Sequence, residues 1–304
     1  MDVLTDVLDA LELKGWLASR TEVAPPWRFD FAASPDSTFH IFNFGGGYLR
    51  VEGEPDPLRV EDGDVVVFPH GHAQTICDEL ASPLTKAAHL DYDAHREYQV
   101  FPFEGEGTKT VLLCGAFHFE NPGDYPLLRC LPNVVHIPGE QGRMAQGFAN
   151  IISSIAHESA SQQAGAEVML RRLTEMLFIQ VLRVWSEQHA RATGGCVAAL
   201  RDQPISTALG LIHQSPERGW RVDELADAVA LSRSAFSSHF TQLVGEPPMK
   251  YLTRWRMHRA AQLLKNDVSV ERIAHQLGYD SEVAFRKAFK REVGIPPARY
   301  RKLG

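Results

Sequence analysis

The sequence predicts an α+β multidomain chain: an N-terminal β-barrel or sandwich with flanking helices, then an all-α unit built from two helix-turn-helix devices. Three observations predict it. From about Trp27 to Pro138, short apolar runs alternate with Gly- and Pro-bearing turns. From Gln141 onward the apolar spacing changes to three and four residues. Finally, "SRSAFSSHFTQLVGEPPMKY" (232–251) and "SEVAFRKAFKREVGIPPARY" (281–300) share one grammar. Phe236, Phe240, Gly245, Pro248 and Tyr251 recur as Phe285, Phe289, Gly294, Pro297 and Tyr300, each 49 residues later.

The elements follow in chain order. Residues 2–13 carry apolar side chains at positions 3, 4, 7, 8 and 11, which is helical spacing. The strand candidates are "FHIFNF", "YLRVEG", "DGDVVVFPHG", "KTVLLCGAFHFE" and "NVVHIPG". Two helices follow, "MAQGFANIISSIAHESA" and "GAEVMLRRLTEMLFIQVLRVWSEQ". In the second, Val168, Leu170, Leu173, Leu177, Ile179, Val181, Leu182 and Trp185 make an apolar surface wider than one stripe needs. A homodimer contact and plain packing on the β-unit explain it equally well. The glycine pair in "ARATGGC" marks a linker. The expected division is a β-unit over 1–140, a helical pair over 141–192, a linker over 193–204 and the doubled helical unit over 205–304.

Within the doubled unit, "PISTALGLIHQS" and the long "PMKYLTRWRMHRAAQLLKN" each precede a short helix, a tight turn and a second helix. Ala226 and Ala274 are small enough for the helices of each pair to approach closely. Ser232 and Ser281 are placed as N-caps. Phenylalanines at i and i+4 share one face and pin the second helix inward. Gly245 and Gly294 stand where a helix ends on a left-handed residue. The outward positions are then Arg233, Ser234, Ser237, Ser238 and Thr241 in the first copy. In the second they are Glu282, Val283, Arg286, Lys287 and Lys290. Such side chains reach base edges, thymine methyls or phosphates. The connecting helix, about 25 Å long at 1.5 Å per residue, is a rod able to hold two reading helices about one DNA turn, 34 Å, apart. Arg254, Arg256, His258 and Arg259 on it are candidate phosphate contacts, although some must face the core.

Charge agrees with that division. From Gln203 onward there are sixteen Lys and Arg against ten Asp and Glu, a balance of +6. The remainder carries −13, and the whole chain −7. The N-terminus lacks the basic region of a secretory signal, and no apolar run is long enough to span a bilayer, so a cytoplasmic location without membrane contact is expected. Cys77, Cys114, Cys130 and Cys196 are widely spread, with no CxxC spacing; free thiols are expected, and a redox role for one of them stays open.

At these residues a resemblance becomes specific. "LADAVALSRSAFSSHFTQLVGEPPMKYLTRWRMHRAAQLL" and "IAHQLGYDSEVAFRKAFKREVGIPPARYR" resemble the AraC/XylS transcriptional regulators. The resemblance implies a DNA-binding module of two helix-turn-helix units, with recognition roles on Ser234, Ser237, Ser238, Val283, Arg286 and Lys287. "FHIFNFGGGYLRVEG", "GDVVVFPHGHAQTICD", "LLCGAFHFE" and "PLLRCLPNVVHIPGE" resemble the cupin-type sensor domain of one AraC subgroup, over about residues 10–190. Expected partners are double-stranded promoter DNA, a small-molecule effector, RNA polymerase and, through the N-terminal part, a second copy of the chain.

Cupin folds often hold a metal on histidines, and here His40, His70 and His72 are the candidates for effector or metal ligation. "GDVVVFPHGHAQ" resembles a cupin motif with Gly63, Pro69 and Gly71 in place, but Gln74 stands at its final histidine. A neutral amide is a poorer ligand for zinc or iron than imidazole. The cofactor is therefore left undetermined, none is required for DNA binding, and no catalytic constellation stands out. The principal reading is a transcription regulator that senses a ligand, metal or redox signal. The alternative is a cupin metal-dependent enzyme fused to a DNA-binding domain. A third is a constitutive DNA binder whose β-unit only dimerises.

Overall fold

The computed structural model describes residues 5, 13–85, 98–102, 107–119, 128, 131–140, 146–161, 163–188, 199, 202–266 and 268–302. All of the helix expected over 2–13 except Thr5 and Leu13, and the linker glycines 194 and 195, lie outside these residues. The described chain falls into two compact units, one over 13–119 and 131–188, the other over 202–302 together with residues 5, 128 and 199.

The first unit is a sandwich of two sheets. Six strands run in the order β10 (Val135–Ile137), β6 (Val65–Phe68), β3 (Ser37–Phe44), β9 (Thr110–His118), β1 (Lys14–Val23) and β8 (Gln99–Pro102). Four run in the order β2 (Arg28–Phe31), β7 (Gln74–Cys77), β4 (Gly47–Val51) and β5 (Leu58–Val60). No ladder joins the two sheets among the described residues; they are held by a shared core. Trp27 just ahead of β2, with Phe29, Phe31, Leu49, Val60 and Ile76 from the smaller sheet, meets Val23, Phe42, Val66, Phe68 and Leu112 from the larger. All the β pairings are antiparallel except β1 with β8.

Side chains alternate along a strand, so Thr38, His40 and Phe42 of β3 enter that core while Phe39 and Ile41 face the other way. A second layer covers them. Helix α2 (Ala166–Gln188) packs with α1 (Gln146–Ser161) and against β1 and β10. Phe178 of α2 stacks within 5.0 Å of both Phe117 and Phe119, and Phe117 lies 4.7 Å from Phe39. At Gly15 a Cβ would sit 2.8 Å from Thr174 Cγ2, so glycine is what lets α2 lie close to β1. Burial on both faces makes β3 and β9 read as nearly continuous apolar runs, and both were visible in sequence. Strand β1, KGWLASRTEV, was not: its buried positions include Ser19 and Thr21, and its charged ones break the alternation.

The second unit is all helical: α3 (Gln203–Gln214), α4 (Val222–Ala228), α5 (Arg233–Val244), α6 (Pro248–Lys265), α7 (Val270–Gln276), α8 (Glu282–Val293) and α9 (Pro297–Tyr300). No helix among the described residues is long and apolar enough to cross a membrane.

Candidate nucleic-acid interface

Each helix-turn-helix is assembled by the same local devices. Ser232 Oγ accepts from Ala235 N at 3.3 Å and Ser281 Oγ from Ala284 N at 3.2 Å, so each serine satisfies an orphan donor at the start of α5 or α8. Gly245 and Gly294 end those helices with φ of 83° and 87°. Phe236, Phe240, Phe285 and Phe289 are fully buried, as are Ala226 and Ala274 across the turn. The first turn spans four residues between α4 and α5, the second five between α7 and α8. That extra residue is what shifts the repeat from an offset of 48 to 49.

The outward positions stay clear of the core. Arg233, Ser234 and Ser238 of α5 are exposed and Ser237 is half-buried. Thr241 is half-buried too, and its hydroxyl donates back to Ser237 O at 2.7 Å, which removes its donor from the reading face. On α8, Val283, Arg286, Lys287 and Lys290 are exposed. Val283 has 63 % of its surface open, an exposure that packing does not explain. Glu282 is half-buried, and the Arg286 guanidinium donates to its carboxylate through Nε at 2.5 Å and pairs with it again through Nη2. The chain thus presents a hydroxyl-rich helix and a basic one.

Helix α6 joins them. Its 18 residues span about 27 Å. Its first half packs with α3 and the first helix-turn-helix: Trp255 stacks on His213 at 3.8 Å, and Tyr251 Oη lies 2.7 Å from His213 Nε2. Burial pushes the His213 imidazole down to about 3, so it is neutral at physiological pH. Its second half, Met257, Ala260, Ala261 and Leu264, enters the core made by Ile273, Ala274, Leu277, Phe285, Ala288 and Phe289. Of the four candidate phosphate contacts on α6, Arg259 is exposed and hydrogen-bonds Gln262 at 3.0 Å. His258 is half-buried near Trp255. Arg254 pairs with the buried Glu246, and Arg256 donates to backbone carbonyls of residues 216–218. Those two arginines hold the fold. Their partners, 8 to 40 residues away in sequence, leave no periodic trace, which is why sequence reading did not separate them from the exposed arginines.

The three histidines of the first unit are held separately. His40 is fully buried, with Nε2 3.3 Å from Gln74 Nε2 and Nδ1 3.1 Å from Cys114 Sγ. The Gln74 amide also reaches Thr38 Oγ1 at 3.3 Å, so β3 and β7 meet at this polar cluster. Burial pushes this imidazole down to about 3. Its two ring nitrogens thus face Gln74 and the Cys114 sulfur. His70 Nε2 lies 2.9 Å from Leu131 O and His72 Nε2 3.0 Å from Asn133 Oδ1. The rings of His70 and His72 meet edge-on at 5.9 Å. Among the described residues no group of three or more His, Cys, Asp or Glu is placed to hold a metal. A separate cleft of about 740 Å³ opens in this unit between residues 45–48, 59–62 and 78–81, and none of the three histidines lines it.

Comparison with known proteins matches this architecture. A cupin family model matches residues 2–187, and a helix-turn-helix domain model matches residues 225–303. An AraC-like transcription regulator of Streptomyces antibioticus is 33% identical over 305 residues, covering 99% of each chain. The HTH-type transcriptional regulator AlkR of Acinetobacter baylyi is 28% identical, also over 99% of each. Among solved structures, the DNA-binding domain of the global transcriptional factor AdpA, in complex with a target DNA, is 32% identical. That match covers 33% of this chain and 91% of its own, with a TM-score of 0.31. The named relatives are regulators, not enzymes.

Proposed function

The chain belongs to the AraC-like transcription regulators, DNA-binding proteins here carrying a cupin domain, and from that premise we propose that α5 and α8 read two successive major grooves of one promoter duplex. The observation that supports this reading is the doubled, outward-facing helix pair built on one shared α6. Doubling within one chain supplies the two-site readout that other helix-turn-helix proteins obtain by pairing two chains. Arg286 and Lys287 are assigned to guanine edges or phosphates, Val283 to a thymine methyl, and Arg233, Ser234, Ser237 and Ser238 to a more permissive first half-site. Glu282 and Lys290 flank the second. In this reading Arg286 exchanges its Glu282 carboxylate for DNA on binding.

The N-terminal unit is assigned the regulatory role. A small effector that binds one state of the chain better than another shifts the availability of the DNA-binding pair. We place that effector in the cleft at residues 45–48, 59–62 and 78–81, where Glu61, Asp62, Asp78 and Glu79 outnumber Arg59 and favour a neutral or cationic molecule over an anion. The open face of α2, where Val168, Met169 and Met176 are each about half exposed, is assigned to a second copy of the chain. At a promoter the complex meets RNA polymerase, and transcription in a purified system reports whether the effect is positive or negative.

Selection of duplexes from random sequence by the full chain tests the central claim. Recovered sequences should carry two half-sites about 10 base pairs apart, centre to centre. Enrichment of a single half-site, or of none, overturns paired reading. Met169→Glu together with Met176→Glu should yield a monomer in sedimentation if α2 forms the contact between copies.

A further inference from the structure

The geometry points to Arg256 as the positioning residue that fixes the angle between the two reading helices. This inference rests on the paired reading proposed above. It concerns a side chain whose guanidinium is turned to the chain's own backbone.

Three observations meet at one place. Arg256 projects from the middle of α6, at the boundary between the half that packs with the first helix-turn-helix unit and the half that packs with the second. Its guanidinium donates to three successive carbonyls of the loop between α3 and α4: Nε to Pro216 O at 2.5 Å, and Nη2 to Arg218 O at 2.9 Å and Glu217 O at 3.4 Å. The same guanidinium lies 5.6 Å from the ring centre of Tyr279, in the turn between α7 and α8. Loop and turn also touch directly. At Gly278, φ +72°, a Cβ would fall 1.9 Å from Glu217 O. The loop of one unit and the turn of the other are therefore packed backbone to backbone, with Arg256 closing the contact.

Only arginine suits this position. A planar fork of five donors spans several acceptors at once, whereas the lysine ammonium is a point on a flexible stem. The loop itself is braced: Trp220 Nε1 donates to Ser215 O at 3.0 Å, and the Arg218 guanidinium lies 3.9 Å above the Trp220 ring. A clamp on a braced loop transmits orientation rather than yielding to it. Without it, α6 still joins the units, but the two reading heads lose their fixed angle. Joint engagement of two half-sites gains affinity only when geometry permits both at once.

The test uses the full chain, a two-half-site duplex selected by the wild type, and the same duplex with the first half-site scrambled. Wild type should prefer the intact duplex by about 100-fold, and Arg256→Ala should lose about 10-fold or more of that preference while binding the scrambled duplex as before. Insertion of a few base pairs between half-sites should cost wild type more than the variant. Arg256→Lys should fall between the two, and it carries the same comparison if Arg256→Ala does not fold. Gly278→Ala, which pushes the loop off from the other side, should reproduce the loss. Equal losses on both duplexes would mean a merely structural role and overturn the proposal, as would an undiminished preference. If wild type itself binds both duplexes alike, paired reading is what fails, and the clamp falls with it.

Discussion

The first and second helix-turn-helix units have the same interior grammar and different everything else. Both use a serine N-cap, two buried phenylalanines, a left-handed glycine and a Pro-Pro entry to the next helix. Around that frame the first unit is anchored to α6 by polar and aromatic contacts: His213 with Tyr251 and Trp255, and Glu246 with Arg254. The second packs on α6 through aliphatic and aromatic side chains, and among the described residues it buries no histidine or carboxylate. Their outer faces differ as much, hydroxyls on α5 against an ion pair and free lysines on α8. Packing and reading are thus separable in this fold. The copied residues are those that make a helix stand in place, and the divergent ones are those that face away from the core.

The largest effects should fall on the shared part and be equal in both copies. Phe240→Ala and Phe289→Ala each remove a fully buried ring and should each cost about 3–5 kcal/mol of stability in denaturant titrations. A loss below about 1 kcal/mol at either position would show that the ring does not anchor its helix, because collapse around the gap cannot recover that much.

The next effects should be unequal. Arg286→Ala or Lys287→Ala should weaken binding to a selected duplex by about 1–3 kcal/mol where the side chain reads a base. Ser237→Ala and Ser238→Ala should each cost only about 0.5–1.5 kcal/mol, the net worth of a neutral hydrogen bond. Gel-shift titrations at one fixed salt concentration make the comparison fair, since phosphate contacts weaken steeply with salt. Serine variants that lose as much as the arginine variant would reverse the assignment of the two helices.

Much of this unit was legible in the sequence because its signals are short-range. A serine three residues before the backbone N–H it accepts from, phenylalanines one helical turn apart and a terminal glycine are all local, and each held. What stayed hidden is long-range. His213 reaches Tyr251 across 38 residues and Arg256 reaches Pro216 across 40, and nothing periodic announces either pair. The N-terminal unit shows the same limit. Its twice-buried strands β3 and β9 were plain, whereas β1, β5, β7 and β8 carry too mixed or too short a pattern. The candidate metal histidines were legible as residues but not as partners. That His40 turns its nitrogens to Gln74 and Cys114 depends on β3, β7 and β9 converging.

Acid should separate the units by a smaller amount. His213 is neutral in the folded first unit, with burial pushing it down to about 3, while an unfolded histidine takes a proton near 6.5. Between those values the unfolded chain binds the extra proton, so the first unit loses stability as pH falls below about 6.5, by about 1.4 kcal/mol per pH unit. The second unit buries no histidine among the described residues, and His275 of α7 is exposed. Hydrogen exchange at pH 7 and at pH 5.5 should therefore show α3 and α5 opening more readily in acid while α8 changes less. His213→Phe should remove most of that difference. An unchanged α3 would mean the imidazole gains a proton without leaving its place beside Trp255.

The smallest effect concerns a left-handed turn position where the copies disagree in residue but not in conformation. Gly278 and Ala230 both adopt a left-handed backbone, with φ of 72° and 56°. Glycine is required in the second turn, since any Cβ would strike Glu217 O. Alanine in the first turn carries the steric strain of that conformation, about 1–2 kcal/mol. Ala230→Gly relieves it, but the freer unfolded chain takes back roughly 0.5–1 kcal/mol. The variant should therefore be more stable than wild type by about 1 kcal/mol or less, seen as a small rise in melting temperature with DNA affinity unchanged. A fall in stability would show that the alanine methyl makes contacts worth more than the strain it brings, and that the first turn is held by packing where the second is held by the absence of a side chain.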